Sequence, residues 1–147
     1  MRVPALMVLA LLALLAPACK SHKPITVDTS EAGEIPREVA LQKLRDLLPT
    51  AEYLYCTAPK ETLKAAEVKT YAVRNDMIEI EFSKGRTLQL AYAAITEVNL
   101  ELKGKYYTAR VFSSAQPEAG REHFGFQWKQ EERARQAVEL LTALKKK

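Results

Sequence analysis

HFGFQWKQEERARQAVELLTAL, residues 123–144, changes its periodicity halfway along and decides the fold of this chain. In its first six residues the large aromatic side chains alternate with other residues, which is the period of a β-strand. After the tryptophan, Ala and Leu recur at three- and four-residue spacing, which is the period of an amphipathic helix. The run therefore predicts a last strand at 123–128 that leads directly into a C-terminal helix at 130–146.

The two-residue period recurs upstream, between residues 51 and 128, in short runs separated by turn residues. At 77–82 three apolar residues alternate with Glu79 and Glu81, and a glycine-containing turn leads to a second alternating run. Two such runs around a glycine turn predict a β-hairpin. The segment 58–64 is interpreted as a loop or a helical turn. Seven strands are predicted, at 52–57, 67–74, 77–82, 87–92, 95–102, 106–112 and 123–128.

A second amphipathic pattern precedes the strands. Leu41, Leu44 and their apolar neighbours recur at helical spacing, with charged residues on the opposite face. Pro36 suits the first turn of a helix, where its missing N–H is not needed, and Pro49 stops the helix. The pattern predicts a helix at 36–48.

About seven antiparallel strands followed by one amphipathic helix form a restrictive order of elements. With the run 123–144, this order resembles the pleckstrin-homology-like (PH-like) fold over residues 51–147. The resemblance implies an α+β, mainly β domain: a partly open barrel of about seven antiparallel strands in two bent sheets, capped by the C-terminal helix. The helix at 36–48 is an addition to that core, so a domain spanning 36–147 is expected. Another small α+β fold with a helix at each end of an antiparallel sheet is the structural alternative.

The N-terminus has the parts of an export signal. Arg2 is followed by an almost unbroken apolar run, then by small residues and Cys19. The stretch LLAPAC, residues 14–19, resembles the lipobox of bacterial lipoproteins. The resemblance implies that residues 1–18 are a signal peptide, and that Cys19 becomes the first mature residue. In that family the cysteine carries a thioether-linked diacylglycerol and usually an N-acyl chain such as palmitate.

Lipidation of Cys19 would anchor the chain to a membrane of the cell envelope. Since Lys20 follows the cysteine, the resemblance implies the periplasmic side of the outer membrane in a Gram-negative cell. The polar segment 19–35 is interpreted as a flexible tether between the anchor and the domain. Two alternatives stay open: a soluble secreted or periplasmic protein cleaved after Ala18, and an uncleaved anchor.

The composition narrows the class of partner. The chain has 147 residues, with 22 Lys and Arg against 18 Asp and Glu, and this balance argues against a nucleic-acid partner. Cys56 is interpreted as a buried, inert thiol. A Cys19–Cys56 disulfide is the competing interpretation, and it would exclude lipidation. The sequence has no Cys/His cluster of the kind that holds a metal, so no metal or other cofactor is expected.

No residue set has a catalytic signature. Cys56 and His123 could form a thiolate pair, but His123 is interpreted as a strand residue that points away from Phe124. Glu97 and Glu101 share a strand face, and we interpret them as part of the solvated side of the sheet. We therefore expect a protein that is not an enzyme.

Two groups of residues are candidates for binding. The PH-like resemblance implies contacts to an anionic lipid or small ligand near the loop after the first strand, where Lys60, Lys64, Lys69 and Arg74 lie. We expect instead a protein-interaction module for another envelope protein, which would dock at an edge strand or in the groove beside the C-terminal helix. The partner's identity and the oligomeric state stay open. Tyrosines suit interfaces, but we expect these to pack the barrel and its rims; they are Tyr53, Tyr55, Tyr71, Tyr92, Tyr106 and Tyr107.

Overall fold

The computed structural model describes residues 22–57, 60–115 and 122–145, which form nine strands and two α-helices. Six strands form one antiparallel sheet and three form a second, and the two sheets do not close into one barrel. The helices are α1 (Arg37–Leu47) and α2 (Glu131–Lys145). The strands are β1 (His22–Ile25), β2 (Tyr53–Thr57), β3 (Lys60–Lys64), β4 (Val68–Val73), β5 (Met77–Phe82), β6 (Thr87–Ala91), β7 (Ile95–Lys103), β8 (Tyr106–Ser113) and β9 (Glu122–Trp128).

The predicted fold class is confirmed. All seven predicted strands are present with ends shifted by at most one residue, and α2 follows β9 directly. The helices lie within the predicted ranges 36–48 and 130–146. The order in the larger sheet is β1-β7-β8-β9-β2-β3, and in the smaller sheet it is β4-β5-β6. Two strands, β1 and β3, were not predicted.

The prediction of a loop or helical turn at 58–64 is wrong for Lys60–Lys64, which forms β3 on the edge of the larger sheet. Beyond β3 the chain makes one 3-10 turn at Ala65–Glu67 and continues as β4 in the smaller sheet. The backbone N–H of Lys64 donates 2.8 Å to the Glu67 carboxylate and holds this corner. Consecutive strands therefore carry the chain from one sheet to the other.

The prediction of a flexible tether at 19–35 is wrong for its described part. β1 pairs antiparallel with the end of β7, from His22 opposite Lys103 to Ile25 opposite Leu100. Ile25 packs partly buried against the core, and Ala32, in a 3-10 turn that contacts α2, is fully buried. The segment is ordered because the edge of β7 gives it backbone partners and the core gives its few apolar side chains a place to bury.

The core lies between the two sheets and the two helices. α2 packs against β7, β8 and β9 on one side and against α1 on the other, while α1 also contacts β4. The aromatic row of β9, Phe124, Phe126 and Trp128, is buried in this core, where the Phe126 ring packs against Tyr71 of the smaller sheet. Full burial of each such side chain stabilises the fold by roughly 1.5–3 kcal/mol. Residues 123–144 thus supply both a strand face and a helix face to the core.

No helix in the described part of the chain is long and apolar enough to cross a membrane. The predicted signal peptide 1–18 and the predicted lipidation site Cys19 lie outside the described residues.

Candidate functional site

The outer face of the larger sheet carries a shallow groove lined by tyrosines. Because side chains alternate along β2, Leu54 and Cys56 point into the core while Tyr53 and Tyr55 point outward. The ring of Tyr53 meets the ring of Tyr106 edge to face, with centroids 5.1 Å apart. The groove has a volume of about 250 Å³. We call it the tyrosine groove and define it by Tyr53, Tyr55, Thr62, Lys103, Tyr106 and Gln127.

A glycine makes room for the central tyrosine of the groove. Gly125 of β9 stands opposite Tyr55 of β2 on the outer face. A Cβ atom built on Gly125 would lie 3.6 Å from the Tyr55 Cβ and only 3.1 Å from the methyl group of Thr108. The Tyr55 side chain therefore lies over the position of Gly125, where a larger residue would crowd the tyrosine.

Two lysines give the groove a positive rim. The Lys103 ammonium lies 5.7 Å from the centre of the Tyr55 ring. The Lys105 ammonium lies 5.5 Å from the centre of the Tyr106 ring. Both separations are within the range of cation–π attraction. The rings and the cations thus constrain each other, so the groove presents ordered aromatic faces beside positive charge.

Further along the same face lies a network of charged side chains. Arg110 donates to Glu101 at 2.6 Å and also pairs with Glu122, and His22 of β1 contacts the other oxygen of Glu101. The Glu101 side chain is only 5% exposed. The interpretation of Glu101 as a solvated residue is therefore wrong, because the pairing of β1 with β7 covers it. Because Arg110 holds the Glu101 carboxylate, the network joins β1, β7, β8 and β9.

The structure distributes the four predicted anionic-ligand residues over both sheets. Lys60 and Lys64 lie on β3, whereas Lys69 lies on β4 and Arg74 directly follows it. Lys69 pairs with Glu81 at 2.7 Å, and Arg74 with Glu79 at 3.2 Å. Hydrogen bonds from Gln89 and Arg74 lower the pKa of Glu79. Two of the four cations are thus engaged within the fold, and the assignment of the four to one anion site stays a prediction.

Among the described residues no hydrogen bond joins Cys56 to His123, whose buried Nδ1 has no hydrogen-bond partner. The rings of His123 and Phe124 lie with centroids 4.1 Å apart, where the register between β8 and β9 shifts. The prediction that His123 points away from Phe124 is therefore wrong, because the strand is irregular at this residue. Burial raises the pKa of the Cys56 thiol to about 11, partly offset by the charge of Arg86. A thiol this basic is protonated at neutral pH and is a poor nucleophile. The free Cys56 thiol is buried, as predicted.

The tyrosines fall into two groups that the sequence did not separate. Tyr92 is 2% exposed, its hydroxyl donates to the Arg74 carbonyl at 3.0 Å, and burial raises its pKa to about 12. Tyr71 packs against Phe126, with ring centroids 6.3 Å apart. These tyrosines belong to the core. The strand alternation at 53–57 is the sequence signal that could have placed Tyr53 and Tyr55 outside.

The described residues contain no group of three or more His, Cys, Asp or Glu side chains that could hold a metal ion. A hollow of about 550 Å³ lies between the first 3-10 turn and the helices. Its lining includes Asp28, Glu31, Glu34 and Glu139.

Comparisons with known proteins bear on the fold. No protein-family model matches the sequence, and no curated protein matches it. Among solved structures, the chain is similar to one described as "PH domain from TgAPH", with a TM-score of 0.46 and 17% identity. The match covers 78% of this chain and 95% of that chain. The strand order and pairing of the chain itself carry the fold assignment.

Proposed function

We propose that this protein is a non-catalytic, membrane-tethered envelope lipoprotein that acts as a protein-interaction module, with the tyrosine groove as its docking surface. The observation that carries the proposal is the set of ordered tyrosine rings around a shallow groove on an outer sheet face. Tyrosine supplies a large, rigid contact area at low entropic cost, and it is enriched where proteins meet.

The rim of the groove favours a partner segment that carries a carboxylate. Lys103 stands at the rim beside Tyr55. The neighbouring Gln127 amide donates 3.2 Å to Thr108, so the polar floor is already ordered. An acidic side chain could approach Lys103 while an apolar neighbour packs on the tyrosine rings. An envelope protein that presents such a segment is the partner we propose.

The lipidated Cys19 supplies the tether in this proposal, and its support is the lipobox-like stretch at 14–19. Two or three acyl chains, at about 0.8 kcal/mol for each buried methylene, would hold the protein on its membrane. Binding of an anionic ligand at Lys60, Lys64, Lys69 and Arg74 is the alternative carried over from the sequence. It is weaker because Lys69 and Arg74 are paired with carboxylates.

Photocrosslinking in intact cells tests the docking surface. A photoreactive amino acid replaces Thr62 in the groove, and in a matched strain it replaces Lys84, an exposed residue of the β5–β6 turn. We expect one protein adduct of defined mass from position 62 and none from position 84. Adding Tyr55→Ala should abolish that adduct.

Two outcomes would count against the proposal. Equal adducts from both positions, or an adduct unaffected by Tyr55→Ala, would show that the groove is not the docking surface. An adduct that contains lipid or a small molecule instead of a polypeptide would favour the alternative function.

A further inference from the structure

One end of the larger sheet collects unpaired lysines. The described chain begins there with β1, and the β7–β8 turn, the end of β9 and the end of β3 meet at the same end, as the strand registers require. We call this the anchor end. All its lysines are exposed, and none makes an ion pair within the described chain. They are Lys23, Lys64, Lys103, Lys105 and Lys129.

The carboxylates near the anchor end are already engaged within the protein. Glu52 accepts a hydrogen bond from the Lys129 backbone N–H at 3.2 Å, and Glu67 accepts one from the Lys64 N–H at 2.8 Å. Glu131 pairs with Arg135. In the smaller sheet, by contrast, the basic side chains of Lys69 and Arg74 are matched by carboxylates. Backbone hydrogen bonds leave the charges of Glu52 and Glu67 in place, but the five lysines outnumber these two carboxylates, so the anchor end presents a surplus of positive charge.

This end is also the one closest to the predicted lipid. Cys19 precedes His22, the first residue of β1, by three positions. Even a fully extended chain spans about 3.5 Å per residue, so the sulfur-bearing residue is within roughly 11 Å of β1 along the chain. That distance is similar to a Debye length of about 8–10 Å at physiological salt. A lipid on Cys19 would thus hold the lysines nearest to β1, which are Lys23, Lys103 and Lys105, within electrostatic range of the bilayer surface.

We propose that the anchor end docks on the anionic headgroups of the membrane that holds the lipid anchor, an inference that rests on the proposed tethering. Lysines near an anionic membrane surface each strengthen attachment. Docking fixes the orientation of the domain and leaves the tyrosine groove opening close to the membrane.

Hydrogen exchange on the mature lipidated protein, which begins at Cys19, tests this docking. The protein is reconstituted into vesicles of phosphatidylcholine alone and into vesicles with about a third phosphatidylglycerol. We expect flotation with both kinds, but slower amide exchange in the β7–β8 turn only on the anionic vesicles. Half-molar salt should remove the protection, because it screens surface charge.

A pair of variants identifies the lysines. Lys23→Gln with Lys129→Gln alters the anchor end without changing a groove residue or a lysine that contacts a groove ring. Since each lysine contributes about fivefold to attachment at an anionic surface, the double variant should weaken docking about 25-fold and abolish the protection. Lys43→Gln with Lys84→Gln removes the same charge from α1 and the β5–β6 turn, and should keep the protection.

The outcomes separate the anchor from the docking. Flotation with equal exchange on both vesicle types would overturn the docking and leave the anchor intact. If the protein fails to float with neutral vesicles, the lipid anchor is wrong. In that case, salt-sensitive flotation with anionic vesicles alone would still support docking. A protein that floats with neither kind of vesicle would overturn the docking as well. Protection by inorganic phosphate without vesicles would overturn the membrane as the ligand.

Discussion

The indole N–H of Trp128 donates a hydrogen bond of 3.0 Å to the hydroxyl of Thr50. Thr50 in turn donates to the Leu47 carbonyl at 2.6 Å, at the last residue of α1. This pair of bonds joins the end of β9 to the end of α1. The first bond satisfies the indole N–H of Trp128, a side chain that is only 1% exposed.

Replacing Thr50 with Val should therefore destabilise the fold. The change removes the acceptor and leaves a buried indole N–H unsatisfied, which costs about 1–3 kcal/mol. Thr50→Ser keeps the hydroxyl and should lose much less. Chemical denaturation followed by tryptophan fluorescence measures both, and equal stability of the Val and Ser variants would contradict this role of the bond.

The Arg110 network predicts a second difference in stability. Arg110→Met leaves the Glu101 carboxylate, whose side chain is 5% exposed, without its main cation. Breaking a buried pair costs about 3–5 kcal/mol; because Arg110 is itself 30% exposed, we expect about 2–3 kcal/mol. The matched control is Lys69→Met, which removes a cation from an exposed pair and should cost less than about 1 kcal/mol. Similar losses in urea denaturation of the two variants would contradict the account.

The Cys56 thiol predicts a dependence of stability on pH. Its pKa is raised to about 11 from an ordinary 9.0, so the folded state holds the proton more tightly than the unfolded chain does. The resulting stabilisation is complete below pH 9 and is lost as the pH rises from 9 towards 11. Wild type should therefore lose more unfolding free energy over this range than Cys56→Ala does. Rapid labelling of the native thiol at pH 8 would argue against its burial.

The groove depends on Gly125. Gly125→Val places methyl groups against Thr108 and Tyr55, and overpacking of this kind costs about 1–3 kcal/mol. It should also displace the Tyr55 ring and reduce the adduct formed from a crosslinker at position 62. Gly33→Ala is the control, because a Cβ there has no neighbour within 4 Å. An unchanged adduct yield in a folded Gly125→Val protein would show that the Tyr55 position is not set by this glycine.

The sequence was most informative where burial repeats at a regular spacing. The seven predicted strands and both helices have one face in the core, so hydrophobic alternation or helical spacing marked them. β3 and β1 lie on sheet edges. β3 is short and mostly polar, and β1 contains Pro24, which suits an edge strand but argues against a strand in sequence analysis. These two strands form through backbone pairing, which leaves no recognisable pattern of side chains in the sequence.

The site was less predictable because it depends on registry between distant strands. Tyr53 and Tyr106 meet only because β9 pairs with β8 on one side and β2 on the other. The same pairing scattered the predicted basic group, since the chain changes sheets between Lys64 and Lys69. Composition could name the tyrosines and lysines, but only the topology separates Tyr92 in the core from Tyr55 in the groove.

The intact mass of the mature protein, purified from its own cells in detergent, tests the tethered-lipoprotein account most directly. We predict a chain that begins at Cys19 and carries the additional mass of a diacylglyceryl group and an N-acyl chain. An unmodified chain cleaved after Ala18, or one with Cys19 joined to Cys56 by a disulfide, would contradict the account.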